Sequence, residues 1–186
     1  MKNLATKGIA LVITLVTVLS VATLGVNAKF DAETSLDKLV DAGIFCDKTI
    51  VDPIDRATLA TVIYRIQTGK FGGYTEPSKV AFNDVPANAW YAEYVAYAAN
   101  TGAMNGTGNG SFSPAAKVNG FTALTALIRA AGLDPDGRIS GPFWQLEAVR
   151  IADEQGVIDA LGDGVDLYAP LSRANLAIII DALILS

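Results

Sequence analysis

From residue 31 onward, apolar side chains recur at helical spacing in stretches separated by loops rich in glycine and proline. Leu59, Val62, Ile63 and Ile66 step i, i+3, i+4, i+7, and Leu176, Ile179, Ile180 and Leu183 repeat that stepping at an offset of 117. Such spacing places each set on one face of an amphipathic helix, the face that enters a core. A second offset, of 54, pairs Trp90 with Trp144, Glu93 with Glu147, Val95 with Val149, Ala98 with Ala152 and Gly102 with Gly156. So many matches in one register predict an internal repeat made of a helix, a loop and a helix. After its glycine each copy carries an aromatic two residues before a proline, Phe112 with Pro114 and Tyr168 with Pro170. A shorter copy lies upstream, where Gly43 aligns with Gly102 and Gly156, and Pro53 to Ala57 with Pro170 to Ala174; its leading helix lacks the tryptophan.

Local chemistry supplies the ends of these helices. Asp55, Asn119 and Ser172 stand where an N-cap belongs, since their side-chain oxygens can accept from the unpaired N–H groups of the first turn. Gly43, Gly102 and Gly156 stand where a left-handed residue ends the leading helices. The stretches "TGKFGGYTEPS" and "DPDGRISGP" read as linkers. One helix pair of this size cannot bury its apolar faces alone, so three pairs are expected to pack around a shared axis. The predicted fold is all-α, with six principal helices and little strand. The organisation is a leader at 1–28, a shortened first repeat at 29–72, a second at 79–134 and a third at 139–186.

The leader changes the charge balance. Lys2 and Lys7 precede an acid-free apolar run from Gly8 to Leu24 that ends in Val26-Asn27-Ala28, the pattern of a secretory signal cleaved after Ala28; the alternative is a retained membrane anchor. Removing it deletes two lysines and no acid from a chain of formal charge −5, so the remainder carries −7. That acidity argues against nucleic acid as a partner, because its phosphates are bound by lysine and arginine. With no histidine in the chain, the commonest general base, the serine triad and His-ligated zinc are all removed. The single Cys46 cannot form an internal disulfide and is expected to be a small buried hydrophobe. Asp159, Asp163 and Asp166 lack the spacing of a calcium loop, and "NGTGNGS" lacks the lysine of a phosphate cradle, so neither metal nor cofactor is expected.

The lead "FNDV", a tryptophan, a helix ending in glycine, a loop with Gly, Phe and Pro, and then "SRAN" or "DRAT" opening a second helix together resemble the S-layer homology repeat, whose second helix typically begins with a "TRAE"-like motif. The resemblance covers about residues 31 to 185, and it departs at Gly120, where the motif would put an arginine. It implies a three-pronged pseudo-threefold bundle at the cell-wall surface. Such a bundle binds secondary cell-wall polymer non-covalently in grooves between prongs, without catalysis. In many Gram-positive members of the family the ligand is a pyruvylated polysaccharide; in some didermic bacteria it is modified peptidoglycan.

Arg56 and Arg173 occupy the first helical position, where the macrodipole mildly disfavours a cation. An intramolecular ion pair, a solvated side chain or an anionic ligand would each account for them; in the last case exposed helix-start N–H groups and a guanidinium fork would share a carboxylate. Together with the resemblance, this makes Arg56, Arg173, Asp55, Ser172, Lys117 and Asn119 the expected ligand-binding set. Trp90 and Trp144 join it as residues that pack in the core, form a sugar platform, or both. Gly120 leaves the middle repeat without the forked cation. A hydrolase would need paired carboxylates, and Glu93 and Glu147 lie at equivalent positions in different repeats, so no catalytic residue is expected. The alternative function is a small surface-layer assembly protein docking other surface proteins. Because the sequence stops at Ser186 with its last helix, the triplet is expected to act without an attached passenger.

Overall fold

A computed structural model describes residues 30–48, 52–79 and 81–185, and the predicted export signal at 1–28 lies outside the described residues. Among the described residues seven α-helices form: α1 (Ala32–Asp41), α2 (Arg56–Thr68), α3 (Ala92–Asn100), α4 (Gly120–Ala130), α5 (Trp144–Glu154), α6 (Val157–Leu161) and α7 (Arg173–Ile180). A 3-10 turn, Gly141–Phe143, leads into α5, and a π-helical turn, Asp181–Leu185, continues α7. Among the described residues there is no named strand, only isolated bridges, and no helix is long and apolar enough to cross a membrane.

The helix starts follow from their capping side chains. Asp55, Asn119 and Ser172 accept from the backbone N–H of Thr58, Thr122 and Asn175 at 2.9, 2.9 and 3.0 Å. Gly43, Gly102 and Gly156 have φ of 71°, 77° and 73°, the left-handed region in which a Cβ would be strained. Seven of the eight apolar residues read as core faces are buried, and Leu183 packs half-buried in the π turn. One element was not foreseen. After Gly156 the run Val157-Ile158-Asp159-Ala160-Leu161 makes the extra helix α6, because Val157 and Ala160 reach the core before Gly162 ends it at φ 74°.

The principal packings join segments instead of closing each pair on itself. The leading helix α3 lies on α2, α5 lies on α4, and α1 lies on α7, while α4 also touches both α2 and α7. At the centre the residues preceding the three N-caps close a ring of backbone hydrogen bonds. Ile54 N–H donates to Leu171 O (3.0 Å), Leu171 N–H to Val118 O (2.7 Å) and Val118 N–H to Ile54 O (2.9 Å). All three side chains are buried, so the N–H and C=O of these residues find their partners in one another.

Long-range polar contacts tie distant segments together. The buried Asp181 carboxylate accepts from Ser35 Oγ and from Lys38 Nζ, both at 2.9 Å, tying α7 to α1. The stretch read as a linker before the second repeat is a pinned strap: Glu93 Oε2 accepts from Gly73 N–H (2.8 Å) and Tyr74 N–H (3.0 Å), and Tyr64 OH donates to Gly72 O (2.8 Å). Tyr97 stacks edge-on against both Tyr64 and Tyr74, with ring centroids 5.0 Å apart, and burial pushes its phenol pKa up.

Candidate functional site

Arg56 opens α2 and reaches into the loop of the next segment. Its Nε donates to Phe112 O (2.7 Å), its Nη2 to Asn105 O (2.6 Å), and its guanidinium carbon lies 4.5 Å from the Phe112 ring centroid. The residue is only 8% exposed, and this burial lowers its pKa against the opposing pull of Asp84. Asp84, from the "FNDV" lead, accepts from Phe112 N–H (2.8 Å) and Ser113 N–H (2.7 Å), which fixes the loop on which Arg56 rests. Those bonds, the Phe112 N–H foremost, hold its carboxyl below the usual aspartate range.

Arg173 repeats the arrangement with another loop. Its guanidinium carbon lies 4.1 Å from the Phe45 ring centroid, Nη2 donates to Asp47 O (2.6 Å), and the Asp47 carboxylate is 3.9 Å away. At the third junction Gly120 replaces the arginine, and Leu167 occupies the space. A Cβ on Gly120 would meet Leu167 Cδ2 at 2.6 Å and its Cα at 2.9 Å. Phe121 then packs edge-on against Tyr168, with centroids 4.7 Å apart, and against Trp144 at 6.3 Å. Two junctions are therefore built on arginine over phenylalanine and the third on Leu167 and aromatic rings.

Most of the first N–H groups at the helix starts already have partners, so they are less available to an anion than the sequence-based expectation supposed. Arg56 N–H donates to Ala116 O (3.0 Å), Ala57 N–H to Pro114 O (2.9 Å) and Phe121 N–H to Leu167 O (3.4 Å). Arg173 N–H is taken by Asp52 Oδ1 at 2.6 Å. Loops from neighbouring segments fill these positions, which leaves side chains as the main anion contacts. The oxygens of Asp55, Asn119 and Ser172 are likewise engaged as N-caps. Lys117 is exposed and donates from Nζ to Pro53 O at 3.3 Å.

What remains open is a cavity of about 420 Å³ between α2, the loop after α3, α4 and the entry to α5. Arg56, Asn105, Thr122, Arg129, Ser140 and Trp144 are among its lining residues, and no carboxylate lines it among the described residues. The size falls in the range of small-ligand sites, roughly 300–1,000 Å³. Arg129 was not singled out from the sequence, although it follows Gly120 by nine residues just as Arg65 follows Arg56. Its Nη2 donates to Ile139 O at 2.7 Å, which steadies the guanidinium at the cavity wall.

The two tryptophans part company. Trp144 is half-buried, packs on the core and lines the cavity. Trp90 is 63% exposed on the turn before α3 and touches Tyr91 edge-on, so the core reading fails for it. The reason is that α3 begins only at Ala92, and Val95 and Ala98 fill the buried face. Cys46 is also exposed, a correction to the buried expectation: Ile44 and Phe45 take the core positions after the Gly43 turn, and the chain then leaves the core. Glu93 pins the strap and Glu147 accepts from Arg150 Nη2 at 3.0 Å, so the two carboxylates serve separate structural contacts.

Comparison with known proteins finds similarity to surface proteins of bacteria. A cell surface protein of Thermoanaerobacter kivui is 30% identical over 131 residues, covering 69% of this chain and 16% of that protein. An S-layer protein of Bacillus thuringiensis subsp. finitimus is 25% identical over 103 residues, covering 52% and 13%. A surface layer protein of Brevibacillus choshinensis is 32% identical over 92 residues, covering 50% and 8%. The chain thus spans less than a fifth of the length of these relatives. Residues 81–123, which carry Asp84, Asn105, Phe112 and the N-cap Asn119, match the family model of the S-layer homology domain.

Proposed function

We propose that the chain is a non-covalent cell-wall anchoring module that holds an anionic secondary wall polymer in the cavity between α2, α4 and α5. One observation carries the reading: in a chain with 19 acidic and 14 basic residues, this cavity is lined by Arg56 and Arg129 and by no carboxylate. An arginine stays charged even when partly desolvated, so a cavity of this kind favours a carboxylate or phosphate. Trp144 adds a ring face for a sugar, and Asn105, Thr122 and Ser140 add hydrogen-bonding groups. The names of the relatives, which are surface and S-layer proteins, support the same role. The matching contacts of Arg56 and Arg173, and the central hydrogen-bond ring, support reading the three helix–loop–helix segments as repeats about a pseudo-threefold axis. Arg173 contributes less to binding in this proposal, because Asp47 and Asp52 already meet its side chain and backbone. A pyruvylated polysaccharide and an acidic modified peptidoglycan both supply the required anion.

The test is co-sedimentation with purified wall, before and after chemical removal of its secondary polymer. The parent should pellet with intact wall and stay in solution with stripped wall, and Arg56→Gln should weaken pelleting roughly 10-fold or more. Equal binding to stripped wall would overturn the proposal.

A further inference from the structure

We propose that Arg129 is a second anion contact, so that the cavity recognises a saccharide carrying two anionic groups and not one. The inference rests on the wall-polymer reading above and names the ligand class for the same cavity. Arg56 and Arg129 come from different helices, α2 and α4, yet line one open cavity of about 420 Å³. Each is tethered to main-chain carbonyls, Arg56 to Phe112 O and Asn105 O and Arg129 to Ile139 O, so their positions are set before a ligand arrives. Neither forms an ion pair with a carboxylate among the described residues, whereas Lys38, Lys48, Arg150 and Arg173 all do. A ligand with one anionic group can meet one of the two guanidiniums and leaves the other without an anion in the cavity. A ligand with anionic groups at both ends can meet both guanidiniums. The remaining wall, with Trp144 and the neutral groups of Asn105, Thr122 and Ser140, suits the sugar between them.

The experiment is calorimetric titration of the full purified chain with three probes: galacturonate with one carboxylate, digalacturonate with two, and N,N′-diacetylchitobiose with none. The parent should bind digalacturonate about 10- to 100-fold more tightly than galacturonate, and chitobiose most weakly. Arg129→Gln should bring digalacturonate down to the affinity of galacturonate, while Arg129→Lys should retain most of the difference. Lysine is long enough to keep a donor near the Ile139 carbonyl, whereas glutamine is shorter, so a loss of preference in the Gln variant counts only where its fold is unchanged. Thermal melts check that each variant is folded; should the Gln variant unfold, the Lys variant and the three-probe comparison on the parent decide. Absence of a preference for the second carboxylate in the parent, or its full survival in Arg129→Gln, overturns the proposal. Because co-sedimentation of the parent with intact and stripped wall is scored separately, those results would remove the two-anion inference and leave the anchoring role standing. Failure of that co-sedimentation would remove the role itself.

Discussion

Replacing Gly120 by alanine sets two effects of opposite sign against each other. Gly120 begins α4 with an ordinary backbone, so helix propensity alone favours alanine by up to about 1 kcal/mol. The added Cβ, however, would lie 2.6 Å from Leu167 Cδ2, 3.1 Å from its Cβ and 2.9 Å from its Cα. The methyl end of Leu167 can rotate away, but the Cα belongs to a loop tied to α4 through the Phe121 N–H to Leu167 O bond and the Phe121–Tyr168 contact. Overpacking of this kind costs about 1–3 kcal/mol, so steric cost wins and the net loss is about 1–2 kcal/mol. Urea denaturation of parent and variant should show that loss, and the melting temperature should fall by about 2–8 °C. Adding Leu167→Ala removes the 2.6 Å clash and should recover part of the stability lost at Gly120, measured as a coupling in a double-mutant cycle; the contact with the Cα persists. If Gly120→Ala is as stable as the parent or more so, Leu167 does not fill the place of the missing arginine, and the account of the third junction is wrong.

Asp84→Asn should destabilise the Phe112–Ser113 loop by about 1–2 kcal/mol in urea denaturation and weaken wall binding through Arg56, because one amide oxygen cannot replace two carboxylate acceptors. Its folded-state pKa is lowered, so its stabilising effect is complete above the unfolded aspartate value of about 3.9 and is lost as pH falls through the folded value; acid titration of stability in the parent, compared with Asp84→Asn, should show that difference shrinking below about pH 4. Asp181→Ala should cost about 2–4 kcal/mol by the same denaturation assay, since it strands Lys38 and the buried Ser35 hydroxyl, while Lys38→Ala leaves the buried carboxylate with Ser35 alone and should also destabilise. Cys46 should react rapidly with a thiol reagent in the folded protein, and protection until unfolding would contradict its exposed placement.

Much of the fold was legible because it is written in neighbouring residues. An N-cap oxygen and the N–H it serves are three residues apart, a left-handed glycine acts on its own turn, and a core face shows as a 3.6-residue period. Asp55, Asn119, Ser172, Gly43, Gly102, Gly156 and the two apolar stripes could therefore be read directly. The repeat offsets also singled out Arg56, Arg173 and the anomaly at Gly120. What those residues touch was decided only in three dimensions, because each helix start is completed by a loop from another segment. Phe112 and Phe45 under the arginines, Leu167 against Gly120, and Asp52 on the start of α7 all come from distant parts of the chain. The closing contact of Asp181 with Lys38 spans 143 residues, and no local pattern marks it. Arg129 had a signal in its spacing but no visible purpose until α2, α4 and α5 lined a common space. Trp90 and Trp144, equivalent by sequence offset, differ because one precedes its helix on an exposed turn while the other meets Phe121 where an arginine is missing. Periodicity and capping depend on chemistry within a few residues and survive in the sequence alone; burial, ion pairing and an open cavity depend on which surfaces meet, and that is settled only when the segments pack together.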